Sequence, residues 1–253
     1  MNILSWLKKN YISFISILVF FVLWEAIARF NFINPLFISS PSKIYKSGSM
    51  LVLSGEIFPH VWISLKAFFA GFLAGIVLGV LGGLAIGYNK YLYKIFLPYV
   101  LALNSLPTIA IIPLVIIWFG IGIEAKIIIV LLMVIKPILI NTINAVINTD
   151  RNIIKMAKSF GASHYQILSS IVFFSALPFI FSSLQMAIGR GITGLVVGEM
   201  FGYGKGLGFL VSFYGNTFQT PRLMFVVTIL LVISLTMSRA VHALEGQIIK
   251  WKN

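Results

Sequence analysis

Asn148-Thr-Asp-Arg-Asn-Ile-Ile-Lys-Met-Ala-Lys-Ser-Phe-Gly-Ala-Ser-His-Tyr-Gln-Ile-Leu-Ser-Ser170 is a polar interruption between two long apolar runs. Ile153, Ile154, Ala157 and Phe160 recur at helical spacing, so its first part predicts a short amphipathic helix. Gly161-Ala162-Ser163 predicts a turn, because glycine accepts backbone conformations that other residues resist and allows a partner to approach closely. Ser163 is placed to cap a second short helix. A polar element of this kind in an otherwise apolar chain implies something soluble for it to touch. Residues 148–170 therefore read as a docking hairpin.

The surrounding chain sets the solvent. Of its 253 residues 59% are hydrophobic and 10% charged, which leaves too little polar surface for a soluble fold. Mean hydropathy is +1.02, and several apolar runs exceed the roughly 18 residues that a membrane span requires. The chain has no cysteine, so disulfides and thiolate chemistry are excluded. Its net charge of +13 raises nucleic acid as a partner, but the basic residues sit at the ends of apolar runs rather than among stacking aromatics. An excess of Lys and Arg on the cytoplasmic side of a membrane protein explains them more simply.

The expected fold is an all-α polytopic membrane protein, a single domain of about six transmembrane helices at about 11–30, 62–87, 97–118, 125–147, 178–201 and 222–243. With the N-terminus inside, Lys8, Lys9, Lys90, Lys94, Arg151, Lys155, Lys158, Arg239, Lys250 and Lys252 face the cytoplasm. Arg29, Lys43, Lys46, Lys126, Lys205 and Arg222 then lie outside. Ten cations against six favour that orientation, which puts both termini and the hairpin in the cytoplasm, where ATP is. Lys8 and Lys9 before an apolar run, with Ala26-Ile-Ala28 after it, have features of a cleaved signal. The run is long, however, and Trp24, Glu25, Arg29 and Phe30 surround the site, so an uncleaved anchor is expected. Residues 31–59, with Pro35, Pro41 and Gly55, read as an outer connection holding one short helix that begins at Ser40-Pro41-Ser42.

Gly71, Gly75, Gly79, Gly83 and Gly87 fall every fourth residue, with Gly82 beside them. That spacing keeps them on one helix face, where a neighbouring helix can come close, either in fixed tight packing or as a sliding surface between states. Pro107 and Pro113 interrupt the third span, with Pro98 near its start. Each removes a backbone donor, so the span is either a broken helix lining the translocation pathway or a packed kink.

Three charges fall within or near the membrane: Lys136, Arg190 and Glu199. A charge at bilayer centre costs about 2.5–3.5 kcal/mol on insertion scales, so each should face protein or water. Lys136, beside Pro137, is either an anion-attracting point in the pathway or a lysine paired between helices. Arg190 and Glu199 are nine residues apart and point to opposite helix faces, which disfavours a direct pair. Arg190 can serve a helix-end carbonyl, a carboxylate of another span, or substrate. Glu199, near the outer end, can act in gating.

Enzyme chemistry has little support. His60, His164 and His242 are widely separated, with no second ligand at metal spacing, so no metal site is expected. Gly202-Tyr-Gly-Lys-Gly-Leu-Gly208 lacks phosphate-loop spacing and follows no strand. The chain is not expected to hydrolyse ATP.

Several of these segments resemble one family. Ala157-x-x-x-Gly161, followed by an apolar stretch ending Ala176-Leu177-Pro178, resembles the cytoplasmic coupling loop of ABC importer permeases, a Glu-Ala-Ala-x-x-x-Gly motif that inserts into a groove of the ATPase subunit. Lys155 and Met156 stand where that motif has Glu and its first Ala, and Phe173-Phe174 replace a Leu-Pro. The first departure reverses a charge at the docking surface. Leu106-Pro-Thr-Ile-Ala-Ile-Ile-Pro-Leu-Val-Ile-Ile-Trp-Phe-Gly-Ile-Gly122 resembles the third span of permeases for nitrate, sulfonates, taurine and thiamine precursors. Gly189-Arg190, Val196-Val-Gly-Glu-Met200 and Gly206-Leu-Gly208 resemble their fifth span and outer loop. Those permeases tend to carry an aromatic where Lys136 stands.

The resemblance implies a type I importer permease fold and a prokaryotic inner-membrane location. It implies a non-catalytic subunit that works with a second permease copy, two copies of an ATPase that use ATP and Mg, and an external solute-binding protein. Lys155, Ala157, Phe160, Gly161, Ala162 and Ser163 would then couple to the ATPase. Pro107, Pro113, Lys136, Arg190 and Glu199 would line the pathway of a small anion or a thiamine-precursor pyrimidine. The alternative is a secondary transporter or channel in which Lys136, Arg190 and Glu199 form an ion relay.

Overall fold

In lipid the backbone must satisfy its own hydrogen bonds, so apolar runs of this length fold as helices. The computed structural model describes residues 3–30, 32–202 and 204–250, with side chains described from residue 11 on except at 14. The side chains of Lys8 and Lys9, and all of Asn31, Tyr203 and Lys252, lie outside the described residues. Every regular element among the described residues is helical: α1 (Ile3–Arg29), α2 (Pro41–Leu53), α3 (Ile57–Tyr88), α4 (Lys90–Ser105), α5 (Thr108–Phe119), α6 (Ile123–Ile147), α7 (Arg151–Ser159), α8 (His164–Ile167), α9 (Phe173–Phe201), α10 (Leu207–Asn216) and α11 (Thr220–Ile248).

Among the described residues four helical stretches are long and apolar enough to cross a membrane: Tyr11–Arg29, Ile57–Tyr88, His164–Phe201 and Thr220–Ile248. A fifth is the pair α4 and α5, bent by 96°. α6, at 25 residues, also has the length for a span, with an apolar surface largely covered by its neighbours.

Two of the expected boundaries change. The third span is not one helix over 97–118. It starts at Lys90, where Asn89 caps the first turn by accepting from the Tyr91 and Leu92 amides, and it breaks at Leu106-Pro107. Proline pushes the residue before it out of the helical region, and Leu106 has ψ 126°. Pro113, by contrast, sits inside α5 without breaking it, because buried Ile112 and Val115 pin that helix to Ala125 and Ile129 of α6. The second helix of the hairpin is also not a separate short element ahead of a span at 178–201. It runs unbroken from His164 to Phe201 through one π-helical turn at Leu168–Val172. Its serines, which look like loop residues in the sequence, bond back along the helix, as Ser169 Oγ does to the Tyr165 carbonyl at 2.8 Å.

The chain divides into two compact units. In the first, residues 1–60 with 210–229, Ser40 caps α2 and Pro41 opens it. The Glu25 carboxylate accepts the Ser42 amide at 3.0 Å and its hydroxyl at 2.7 Å, placing an acid at the helix N-terminus. Thr220 donates to the Leu36 carbonyl at 2.6 Å.

The second unit, residues 61–209 with 230–253, holds the main core. Ala67, Phe68 and Phe72 of α3, Val130, Val134 and Ile138 of α6, and Ala187, Ile188 and Leu195 of α9 are buried together. The glycine ladder of α3 lies directly on α6. A Cβ built at Gly75 would come 2.7 Å from Val134 Cγ1, at Gly79 2.9 Å from Ile138 Cγ2, and at Gly87 2.8 Å from Val146 Cβ. Gly71 and Gly83 face Val130 and Thr142 at 2.7 and 2.5 Å. Each glycine meets one residue of a second four-residue ladder, Val130, Val134, Ile138, Thr142 and Val146, all of them β-branched. Two helices with matching periods thus pack along five successive turns.

Candidate functional site

Four features of the second unit bring candidate functional side chains together, beginning with residues 148–170. Asp150 caps α7 by accepting the Asn152 amide at 2.7 Å. Phe160 ends the helix and Gly161 follows with φ +80°. The Gly161 amide donates to the Lys158 carbonyl at 2.9 Å and the Ala162 amide to the Ala157 carbonyl at 3.0 Å, the paired bonds of a Schellman turn. Ser163 then opens α8 with a reciprocal capping box to Gln166, at 2.8 and 3.3 Å. Nothing lies within 4 Å of a Cβ built at Gly161, so backbone conformation rather than crowding within this chain selects glycine there.

The two faces of α7 differ in a way the sequence stripe did not separate. Ile154, Ala157 and Ala162 pack inward against Val146, Ile167 and Val172. Ile153, Met156 and Phe160 face outward at i, i+3 and i+7, with Phe160 85% exposed, and Tyr165 of α8 joins them. Ala157 and Ala162, read as contact residues, therefore shape the hairpin from within, whereas Met156 and Tyr165 carry exposed apolar surface. Arg151, Lys155 and Lys158 are also exposed, giving this surface a basic edge. Tyr88, the last residue of α3, donates to the His164 carbonyl at 3.2 Å, with its hydroxyl also 3.2 Å from His164 Nδ1. The glycine-lined helix is thereby tied to the first residue of α8.

The second feature is the break at Leu106-Pro107. Lys136 of α6 donates to the Leu106 carbonyl at 2.8 Å, supplying the partner that the interrupted helix cannot. Beside it lies the third feature, a cavity of about 550 Å3 between the break, α6 and α9. Lys136 and Arg190 both line it, with Asn104, Pro107, Thr108 and Thr193. Pro113 does not line it.

Glu199 belongs elsewhere. It is fully buried and accepts Ser64 Oγ at 2.8 and 2.9 Å, the Gly208 amide at 2.8 Å and Lys126 Nζ at 3.4 Å. Ser64 Oγ accepts the Leu207 amide at 2.8 Å, and Lys126 also donates to the Lys205 carbonyl. A Cβ on Gly206 or Gly208 would collide with the Glu199 side chain. The glycine-rich loop is therefore a clasp around a carboxylate. Lys126, read as an outer-face charge, is buried at 7% exposure as the counter-ion. The structure brings Lys136 and Arg190 together and sets Glu199 apart from them.

Comparison with known proteins agrees with this architecture. Residues 71–250 match the family described as binding-protein-dependent transport system inner membrane component. The chain is 29% identical to the putative aliphatic sulfonates transport permease protein SsuC of Bacillus subtilis, over 93% of this chain and 85% of that one. It is 26% identical to the taurine transport system permease protein TauC of Escherichia coli (92% and 86% covered). It is 27% identical to the formylaminopyrimidine transport permease protein ThiX of Halalkalibacterium halodurans (93% of each). Among solved structures, a chain of the inward-facing MetNI methionine ABC transporter matches with a TM-score of 0.65 at 22% identity, covering 74% of this chain and 94% of that chain, a likeness of fold.

Proposed function

Because the chain belongs to the binding-protein-dependent transport system inner membrane component family, the permeases of ABC importers, we propose that it passes a small solute through a six-span pathway when a separate ATPase acts on its 148–170 segment. Two copies of the chain would form the pathway, with two ATPase subunits using ATP and Mg on the cytoplasmic side. An external binding protein would deliver the solute to the outer loops. Both termini would be cytoplasmic in a prokaryotic inner membrane. The solute would be a sulfonate, taurine or nitrate, or a thiamine-precursor pyrimidine.

One observation carries this reading. A doubly capped turn presents Ile153, Met156, Phe160 and Tyr165 to the outside while Tyr88 links it to α3. Apolar side chains held out on a water-facing element need a groove to fill. Closure of the ATPases would push this hairpin, and α3 would transmit the motion to the helices it packs against. Lys155 would meet an acidic rather than a basic groove, the reverse of the pairing that a Glu there would make. The secondary-transporter reading needs Lys136, Arg190 and Glu199 in one relay, and Glu199 is enclosed in a separate cluster.

Replacing Gly161 by Trp tests the coupling. The left-handed turn is then strained and the docking surface enlarged, so ATP hydrolysis by the complex should continue while solute uptake falls. Normal uptake by an inserted Gly161→Trp variant would refute the assignment.

A further inference from the structure

The cavity at the α4–α5 break carries two cations and no acid. The chain has six Asp and Glu residues, and none of them lines this cavity. Among the described residues neither Lys136 nor Arg190 has an ion pair. Two like charges lining one open pocket repel each other unless something negative stands between them. Lys136 spends one of its three donors on the Leu106 carbonyl, which holds its ammonium at the cavity wall with two donors free. Arg190 presents a planar guanidinium whose paired N–H groups match the oxygens of an oxyanion. Asn104, Thr108 and Thr193 add polar groups, and Met133, Met186 and Ile109 give apolar wall. A volume of about 550 Å3 lies within the range of about 300–1,000 Å3 for small-molecule sites.

We infer that Lys136 and Arg190 form a binding site for a small oxyanion with a short apolar tail, the alkylsulfonate type, within the translocation pathway. This rests on the permease reading and narrows it: an anion, rather than an uncharged pyrimidine, is the solute this cavity fits. The two cations supply the charge-assisted bonds and the methionine wall adapts to the tail. Glu199 stays out of the site, since a carboxylate there would cancel the attraction.

The test uses the full chain recovered with its partner subunits in nanodiscs of zwitterionic lipid, without the external binding protein. Equilibrium binding of radiolabelled ethanesulfonate is measured, with ethyl methyl sulfone as an uncharged competitor. Saturable binding is expected, with the sulfone failing to compete. Arg190→Gln, at an exposed position, and Lys136→Gln should each weaken binding by about tenfold or more, the effect of losing one charge-assisted bond. Added phosphatidylglycerol should leave binding unchanged. The inference is overturned by absence of saturable binding to the wild type, by equal competition from the sulfone, or by unchanged affinity when Arg190→Gln and Lys136→Gln are combined in one chain. Displacement by phosphatidylglycerol would also overturn it, by assigning the cations to a lipid headgroup. Co-recovery of the ATPase is scored separately. Loss of anion binding with the ATPase present rejects the site alone, whereas absence of the ATPase rejects the importer reading.

Discussion

Lys126 and Glu199 form an ion pair at 3.4 Å across the ends of α6 and α9, with the Glu199 side chain wholly excluded from solvent. The carboxylate also accepts from Ser64 and the Gly208 amide, so the pair fastens the loop at Lys205 and the start of α10 to α3 and α9. Removing one member of such a pair leaves a buried charge with no counter-ion, at a cost of about 3–5 kcal/mol. Lys126→Met should therefore lower the thermal midpoint of the detergent-purified chain and open the loop to proteolysis between Gly202 and Gly208. Lys126→Met combined with Glu199→Gln should recover part of the loss, because the neutral amide still accepts from Ser64. Equal stability of Lys126→Met and the wild type would show that the pair holds nothing in place.

The facing ladders of α3 and α6 make a position-by-position forecast. Gly83→Ala puts a methyl 2.5 Å from Thr142 Cβ, on a branched side chain of a packed helix that cannot swing away. Overpacking of this kind costs about 1–3 kcal/mol. Gly82→Ala meets only the mobile tip of Leu139 at 3.2 Å and should be nearly neutral. Thermal unfolding of both variants decides it, and equal midpoints would remove the close-packing account.

The exposed face of α7 can be probed for a partner because the sequence contains no cysteine. A Phe160→Cys variant carries a single thiol at a position now 85% exposed. Labelling by a water-soluble maleimide should be fast in the isolated chain and strongly slowed in the assembled complex. Undiminished labelling in the complex would place the partner elsewhere.

Tyr88→Phe removes only the hydroxyl that joins α3 to His164, a bond worth about 1 kcal/mol. Insertion and ATP hydrolysis should persist, with fewer solute molecules moved per ATP. An unchanged ratio of transport to hydrolysis would show that force reaches the spans by another route.

The all-α membrane class, the family and the turn at Gly161 were legible in the sequence, because apolar runs, a four-residue glycine period and a helix-stop signal are local patterns. What escaped was non-local. Lys126 at the head of an apolar run looks like a surface cation, and nothing near it announces a partner 73 residues away. The ladder of Val130, Val134, Ile138, Thr142 and Val146 is indistinguishable from any apolar helix until its glycine partners are set against it. Pro107 and Pro113 look alike as letters, yet only the first interrupts a helix, since packing around Ile112 and Val115 holds the second within α5. On α7 the stripe was visible, but the sequence did not show which half, Ile154 with Ala157 or Ile153 with Phe160, would be turned to the core.

Recovery of the tagged chain from native membranes in mild detergent tests the central claim most directly. The account predicts that a P-loop ATPase co-purifies with the wild type and is lost from Phe160→Asp, while the variant still inserts at normal levels. Recovery of the chain without any ATPase, from ATP-free and ATP-loaded membranes alike, would contradict it.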